Sequence, residues 1–223
     1  MKNQAAIEDL LRVMARLRSP KGCPWDREQD HRSLRWHAVE EVYELVDAIE
    51  ADDDHELVEE LGDLLLQVVF HCQLGKERGA FDFDEVVRHI VDKLIRRHPH
   101  VFGKLKVKDV DQVWANWEKI KRAEKHGTKH ARASALDGIP KHLPALLRAE
   151  KLVKKARRAR LATEKPKRSR INRARLAAQL FELAEHAQSR GWSAEGLLRE
   201  ETAKRERIWR KEERRNGRST GKG

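Results

Sequence analysis

The 223-residue chain predicts an all-α protein. Three observations carry that expectation. Apolar residues recur at three- and four-residue intervals along most of the chain, capping and terminating residues fall between those runs, and no alternating stretch is long enough to need a sheet. With 39% apolar and 38% charged residues, the length gives room for one or two domains with a real core.

The elements follow in order. A first helix is predicted from about Gln4 to Arg18, where Ile7, Leu10, Leu11 and Met14 share a face and Ser19-Pro20-Lys21-Gly22 stops the run. The loop Gly22-Cys23-Pro24-Trp25-Asp26 leads to a second helix, roughly Ser33 to Ala51, which ends at Asp52-Asp53-Asp54. Asp53 and Glu56 have capping-box spacing and open a third helix from about Asp54 to Arg78, with Gly79 as its stop. Phe81-Asp82-Phe83-Asp84 opens a fourth, Asp84 to Arg97, with Val86, Val87, Ile90 and Leu94 on one side. His98-Pro99-His100-Val101-Phe102-Gly103 breaks it, and a fifth from about Val107 to Lys125 carries Val110, Val113, Trp114 and Trp117.

The second and third helices carry the pattern E-E-x-x-E…E-x-x-D, from Glu40, Glu41, Glu44, Glu60 and Asp63. At about 100° per residue, positions 40, 41, 44 and 47 share an arc of about 120°. Val39, Val42, Tyr43, Val46 and Ile49 fill the rest of that helix. Glu60 and Asp63 lie one turn apart in a run that includes Leu61, Leu64, Leu65, Leu66, Val68, Val69, Phe70 and Cys72, too oily for a solvent face, with no Lys or Arg within a turn. A single acidic pair on a helix is usually just a solvated face. Two acidic stripes on successive helices beside apolar residues repel one another unless cations lie between them. Oxygen-only ligands select a hard divalent ion, Mg²⁺ with Mn²⁺ as the alternative, over zinc.

Near the end of the fourth helix, Lys93, Arg96 and Arg97 are three and four residues apart, suited both to the helix dipole and to gripping a triphosphate. Lys121, one turn after Trp117, is a weaker candidate of the same kind. Charge divides unevenly. Residues 1–103 hold 14 Lys+Arg against 22 Asp+Glu, net −8, and the remaining 120 hold 34 against 15, net +19. A basic half this strong suits nucleic acid, an acidic protein or polyphosphates, or is simply a charged helical surface.

The longest apolar run, Leu64 to Phe70, is broken by Gln67 and is far short of a membrane span, and the N-terminus has no signal-type apolar region; a cytoplasmic protein without a membrane partner is expected. Cys23 and Cys72 read as reduced thiols without metal-type spacing. His31, His37, His55, His71 and His89 are scattered, and read as surface or packing residues.

Arg-Leu-Arg-Ser-Pro-Lys-Gly-Cys-Pro-Trp-Asp-Arg-Glu-Gln (16–29), Glu-Glu-Val-Tyr-Glu-Leu-Val-Asp-Ala-Ile (40–49), Glu-Leu-Gly-Asp-Leu-Leu-Leu-Gln-Val-Val-Phe (60–70) and Lys-Leu-Ile-Arg-Arg-His-Pro-His-Val-Phe (93–102) closely resemble the MazG nucleoside triphosphate pyrophosphohydrolases. The resemblance continues through Trp117-Glu118-Lys119-Ile120-Lys121 to Ser134-Ala135-Leu136-Asp137-Gly138-Ile139-Pro140. It implies a four-helix module, residues 1–145, that forms a dimeric helical bundle and hydrolyses nucleoside triphosphates to the monophosphate and pyrophosphate with Mg²⁺. The metal ligands it implies are Glu41, Glu44, Glu60 and Asp63, with Glu40 as an accessory acid that orients or deprotonates water. Lys93 and Arg97, with Arg96, would hold phosphates, and Lys93 would also serve the reaction; Trp117 and Lys121 would lie near the substrate. Cys23-Pro24-Trp25-Asp26 belongs to the resemblance as well. Its residues suit a scaffold or lid, with Pro24 fixing backbone and Trp25 packing.

The C-terminal half, residues 146–223, departs from the family pattern. It enters a second, similar module at Leu143 to Lys151 and closes on a helix over Leu197 to Glu213, with Lys204, Arg205 and Arg207 in place of the basic cluster. Between these, Ala159 to Arg168 reads as a basic linker where the first acids should stand, and Arg175 and Ala178 align where E-x-x-D should stand. The stretch Lys154 to Arg175 as a whole is basic, poor in large apolar residues, and expected to be disordered when free. The expectation is a shortened, degenerate second module. Two readings result: a Mg²⁺-dependent nucleoside triphosphate pyrophosphohydrolase in nucleotide-pool housekeeping, or a catalytically weak dimeric scaffold that binds nucleic acid or an acidic partner through its basic half. The intact acids favour the enzyme.

Overall fold

Helix boundaries follow local chemistry. The computed structural model describes residues 6–124, Gly127, 134–162 and 171–219. Its elements are α1 (Ala6–Leu17), α2 (Pro24–Glu28), α3 (His37–Ala51), α4 (Asp54–Glu77), α5 (Phe83–Arg97), α6 (Pro99–Phe102), α7 (Val110–Ala123), α8 (Ala145–Arg158), α9 (Arg173–Ser189) and α10 (Ala194–Ser219), with no strand among the described residues. The fold class is therefore all-α. The chain divides into two units, Met1–Trp117 and Glu118–Gly223. The expected helix ends at Gln4 and Lys125 lie outside the described residues.

In the N-terminal unit, α3 and α4 form a hairpin joined by two residues. Asp52 adopts the left-handed conformation (φ 56°), its N–H bonding back to Ile49 at 3.3 Å and that of Asp53 to Ala48 at 3.4 Å, a Schellman closure. Asp tolerates that conformation better than most side chains. Asp53 then caps α4, its carboxylate accepting from the N–H groups of His55 (2.9 Å) and Glu56 (3.3 Å). At the far end Gly79 (φ 62°) turns the chain out of α4. Gly75 lets the Phe81 ring lie on the helix, since an added Cβ would sit 2.6 Å from it. Met14 of α1, Leu34 and Val69, Phe70 and Leu74 of α4 form the core, with Ile7, Leu10, Leu11, Leu66 and Phe83 packed around them. Each such side chain contributes about 1.5–3 kcal/mol of burial.

Two polar devices fasten the 18–36 segment to α4. Arg18, its side chain 8% exposed, forks onto Glu77 (2.8 and 2.7 Å), lies 5.5 Å over the Phe70 ring and donates to the carbonyls of Asp26 and Gln29. That fork, first among the causes, holds the Glu77 carboxyl below its ordinary value. His31 and His71 stack, with Nδ1 atoms 2.8 Å apart, and Arg78 lies 3.0 Å from Nε2 of His31. An arginine only donates, so His31 accepts at Nε2 and carries its proton on Nδ1, which it donates to Nδ1 of His71. Of the surface and packing roles expected for the histidines, these two take the packing one, as a hydrogen-bonded pair.

Several expectations are corrected. α3 begins at His37, not Ser33, because the Asp30 carboxylate accepts from the N–H groups of Arg32 and Ser33, both at 2.7 Å, and folds residues 30–36 into turns. The loop expected at 22–26 contains α2, with Pro24 at its first position. Trp25 is 52% exposed instead of packed, its ring meeting His37 edge-on at 6.0 Å, while Asp26 takes the inner side of that single turn. The break after Arg97 is where the sequence put it, at His98, but residues 99–102 within it form the one-turn α6. Leu61, Leu65 and Val68 of α4, too apolar a run for the short helices of one chain to cover, are exposed, as are Val39, Val42, Tyr43, Val46 and Ile49 of α3. The helices of this unit cover only the other side of the hairpin.

In the C-terminal unit α8 packs on α10. Leu136, Leu152, Ala156 and Leu161 form the core, with Ile139 and Trp209 against it. Glu195 of α10 accepts from the Ala145 N–H at 2.8 and 2.9 Å, capping α8 where Pro144 has no side-chain acceptor to offer. The basic stretch Lys154 to Arg175, expected to be a linker, is ordered at both ends: α8 runs to Arg158, Leu161 is 5% exposed in the core, and α9 starts at Arg173 behind an Asn172 cap. Apolar Leu161 escapes the basic composition. The middle of that stretch, 163–170, lies outside the described residues.

Candidate metal centre

The α3–α4 hairpin brings three of the predicted acids together. Glu41 of α3 and Glu60 and Asp63 of α4 each offer a carboxylate oxygen within 4.8 Å of the other two, all three half-buried. Burial first, and Asp63 second, push the Glu41 carboxyl above its ordinary 4.5, against the opposing hydrogen bond from Gln67. Glu60 is raised by desolvation and then by Glu44 and Asp63. Glu44 is exposed and stands outside the three-carboxylate group, but its charge reaches both Glu41 and Glu60. Glu40 is exposed, 3.8 Å from Nδ1 of His37. Among the described residues no Lys, Arg or His forms an ion pair with Glu41, Glu44, Glu60 or Asp63.

Sequence reasoning missed Gln67. It is 8% exposed, donates through Nε2 to Oε1 of Glu41 at 3.2 Å, and its own Oε1 is buried without a partner. The signal was available: Gln67 is the polar residue that interrupts Leu64 to Phe70, one turn after Asp63. Uncompensated carboxylates, raised carboxyls and an orphaned amide oxygen together fit a hard divalent cation.

Lys93, half-buried, and Arg96 and Arg97 occupy the last turns of α5, which packs on α4. Lys93 forms no ion pair with the carboxylates. Trp117 and Lys121 are one turn apart on α7; Trp114 tilts against Trp117 at 5.0 Å between ring centroids, and Lys121 lies 3.7 Å from Glu118. Among the described residues the α3–α4 acids form the one group of three or more potential ligands.

A profile of the MazG nucleotide pyrophosphohydrolase domain matches residues 29–102. The chain is 50% identical over 142 residues to a Bacillus subtilis protein named uncharacterized protein YabN, covering 64% of this chain and 28% of that one. It is 49% identical over 150 residues to the nucleoside triphosphate pyrophosphohydrolase of Escherichia coli, covering 67% of this chain and 56% of that enzyme. Over 197 residues it is 41% identical to a 26.1 kDa protein of Streptomyces cacaoi from the blaB 3′ region, covering 87% and 77%. The chain thus spans between about a quarter and just over half of the first two relatives.

Proposed function

The chain belongs to the MazG family, and on that footing we propose that it hydrolyses nucleoside triphosphates to the monophosphate and pyrophosphate at the α3–α4 carboxylates, in nucleotide-pool housekeeping. The observation that carries this reading is the meeting of Glu41, Glu60 and Asp63 with no Lys, Arg or His of the described residues paired to them. Those three residues, with Glu44 beside them, would hold Mg²⁺. When bound, such an ion neutralises phosphate charge and acidifies a coordinated water.

The chain's own residues supply the rest. Gln67 fixes the orientation of Glu41. Glu40, a single position from Glu41 and exposed, would orient or deprotonate the attacking water. Lys93, Arg96 and Arg97 offer cationic donors to the phosphates, with Arg suited to two-point contact. Trp117 and Lys121 are the proposed contacts to the nucleoside side of the substrate.

The partly uncovered α3–α4 face supports a homodimer. Leu61 is 50% exposed, Ile49 57% and Tyr43 54%, so a second copy would bury area that one chain leaves in water. The test of the activity is incubation with a nucleotide panel, with Mg²⁺ or with chelator, and identification of products. Release of pyrophosphate that depends on Mg²⁺ and is lost in Asp63→Asn is the expected result. Release of orthophosphate and a diphosphate, or undiminished turnover by that variant, overturns it.

A further inference from the structure

The C-terminal unit contains a cavity of about 750 Å³ between α8, α10 and the segment that precedes α8. It is within the size range of small-molecule sites. Five cationic side chains line it, Lys141, Arg148, Arg199, Arg207 and Arg210, against two carboxylates, Asp137 and Glu206.

The two acids are already spent. Glu206 takes Arg148 at 2.5 Å and Arg210 at 2.7 Å, and Asp137 takes Arg210 at 2.7 Å. Arg199 is held by the carbonyls of Lys141 and Leu143 and by Glu195. What remains is an excess of positive charge with free donors. Arg148 is 7% exposed and its Nε has no hydrogen-bond acceptor, an arrangement that costs free energy in a protein interior. Lys141, His142 and Arg207 stand exposed at the rim, their side chains without partners among the described residues. A concave wall of this kind differs from an extended basic stripe, which would track a nucleic-acid backbone.

We propose that this cavity binds a small phosphorylated anion, at a site separate from the α3–α4 carboxylates and without need of a divalent cation. The phosphoryl oxygens would take the rim donors of Lys141 and Arg207, with the buried guanidinium of Arg148 adding positive charge behind them. Guanidinium groups in a partly dry wall match phosphate oxygens in geometry and charge.

The experiment is calorimetric titration of the full chain in chelator, so that the carboxylate centre stays out of the reading, with orthophosphate, pyrophosphate and AMP as separate probes. Saturable binding of at least one probe is expected, weakening as salt rises. Pyrophosphate tightest means that charge alone is read; AMP tightest means that the nucleoside is held too. The surface double variant Lys141→Ala/Arg207→Ala should lose about tenfold or more in affinity, roughly 1.4 kcal/mol per factor of ten, while Lys93→Ala, which disarms the α5 cluster, should keep a saturable binding phase. Arg148→Met, checked by circular dichroism for an unchanged melt, should weaken binding further. The proposal is overturned if none of the three probes saturates at about 10 mM, a bound set by the weakest specific affinities. It is equally overturned if the double variant binds as well as the parent, or if Lys93→Ala abolishes the binding.

Discussion

Glu41→Gln should reverse the order of stability of variant and parent depending on whether Mg²⁺ is present. The substitution keeps the volume of the side chain and an oxygen for the Gln67 amide to donate to, but removes one of three charges whose oxygens lie within 4.8 Å. Two repulsions vanish. At that separation the repulsion with Asp63, the leading charge acting on Glu41, is worth roughly 1 kcal/mol in water and about 3.5 kcal/mol at an effective dielectric near 20. The carboxylates are only half-buried, so the water end governs, and a net gain of about 1–2 kcal/mol in chelator is expected. For a unit of this size that raises Tm by about 4–8 °C per kcal/mol. The sign follows from the raised carboxyl of Glu41: its charged form is disfavoured in the fold, so the cost is fully present above the raised value and fades as pH falls toward 4.5. In Mg²⁺ at about 100 times its dissociation constant the parent gains about 2.7 kcal/mol, and the variant much less. Thermal melts at neutral pH, in chelator and in Mg²⁺, read both effects. A variant that is the less stable in chelator, or that responds to Mg²⁺ as the parent does, refutes the idea of a caged cation.

Arg18→Met should destabilise the N-terminal unit by about 2–4 kcal/mol, since it strands two part-buried carbonyls and removes the partner of Glu77 while keeping apolar contact with Phe70; urea unfolding measures it. The part of the Arg18–Glu77 stabilisation that comes from the depressed Glu77 carboxyl is present above pH 4.5 and lost as pH falls through its lowered value, so the gap between parent and variant should narrow in acid and keep the share owed to the two carbonyls. His71, held below 6.5 by desolvation first and by His31 second, contributes stability that is complete above pH 6.5 and is lost as pH drops through the lowered value. Urea midpoints between pH 5 and 7.5 should fall toward acid in the parent and flatten in His71→Gln; equal slopes would refute the role of the pair. Gly75→Ala should cost about 1–3 kcal/mol by driving a methyl into the Phe81 ring, read as a lower Tm.

Helices that end on short-range chemistry were legible in the sequence. Asp53 and Gly79 placed both ends of α4 within a residue, because a cap or a positive φ acts over three or four positions. The start of α3 was not, since residues 33–36 have helical periodicity and the side chains of Asp30 and Ser33 pull them into turns. The spacing that put Glu41, Glu60 and Asp63 on facing stripes needed only helix geometry and a short connection. Gln67 was hidden because one amide in an apolar run looks like an interruption until the partner helix supplies the carboxylate it binds. The pairing of His31 with His71, forty residues apart, depends on a tertiary contact that no local spacing encodes. Composition misread the C-terminal unit where a single leucine, Leu161, outweighed its basic neighbours.

The connector between α3 and α4 is only Asp52 and Asp53, one closing a helix and the other starting the next. It therefore acts as a ruler. One inserted or deleted residue in α4 ahead of Glu60 would swing Glu60 and Asp63 by about 100° around the helix and shift them about 1.5 Å along it, taking them out of reach of Glu41. A change in length is not tolerable there, and descendants of this chain should keep the spacing from Glu41 to Asp63.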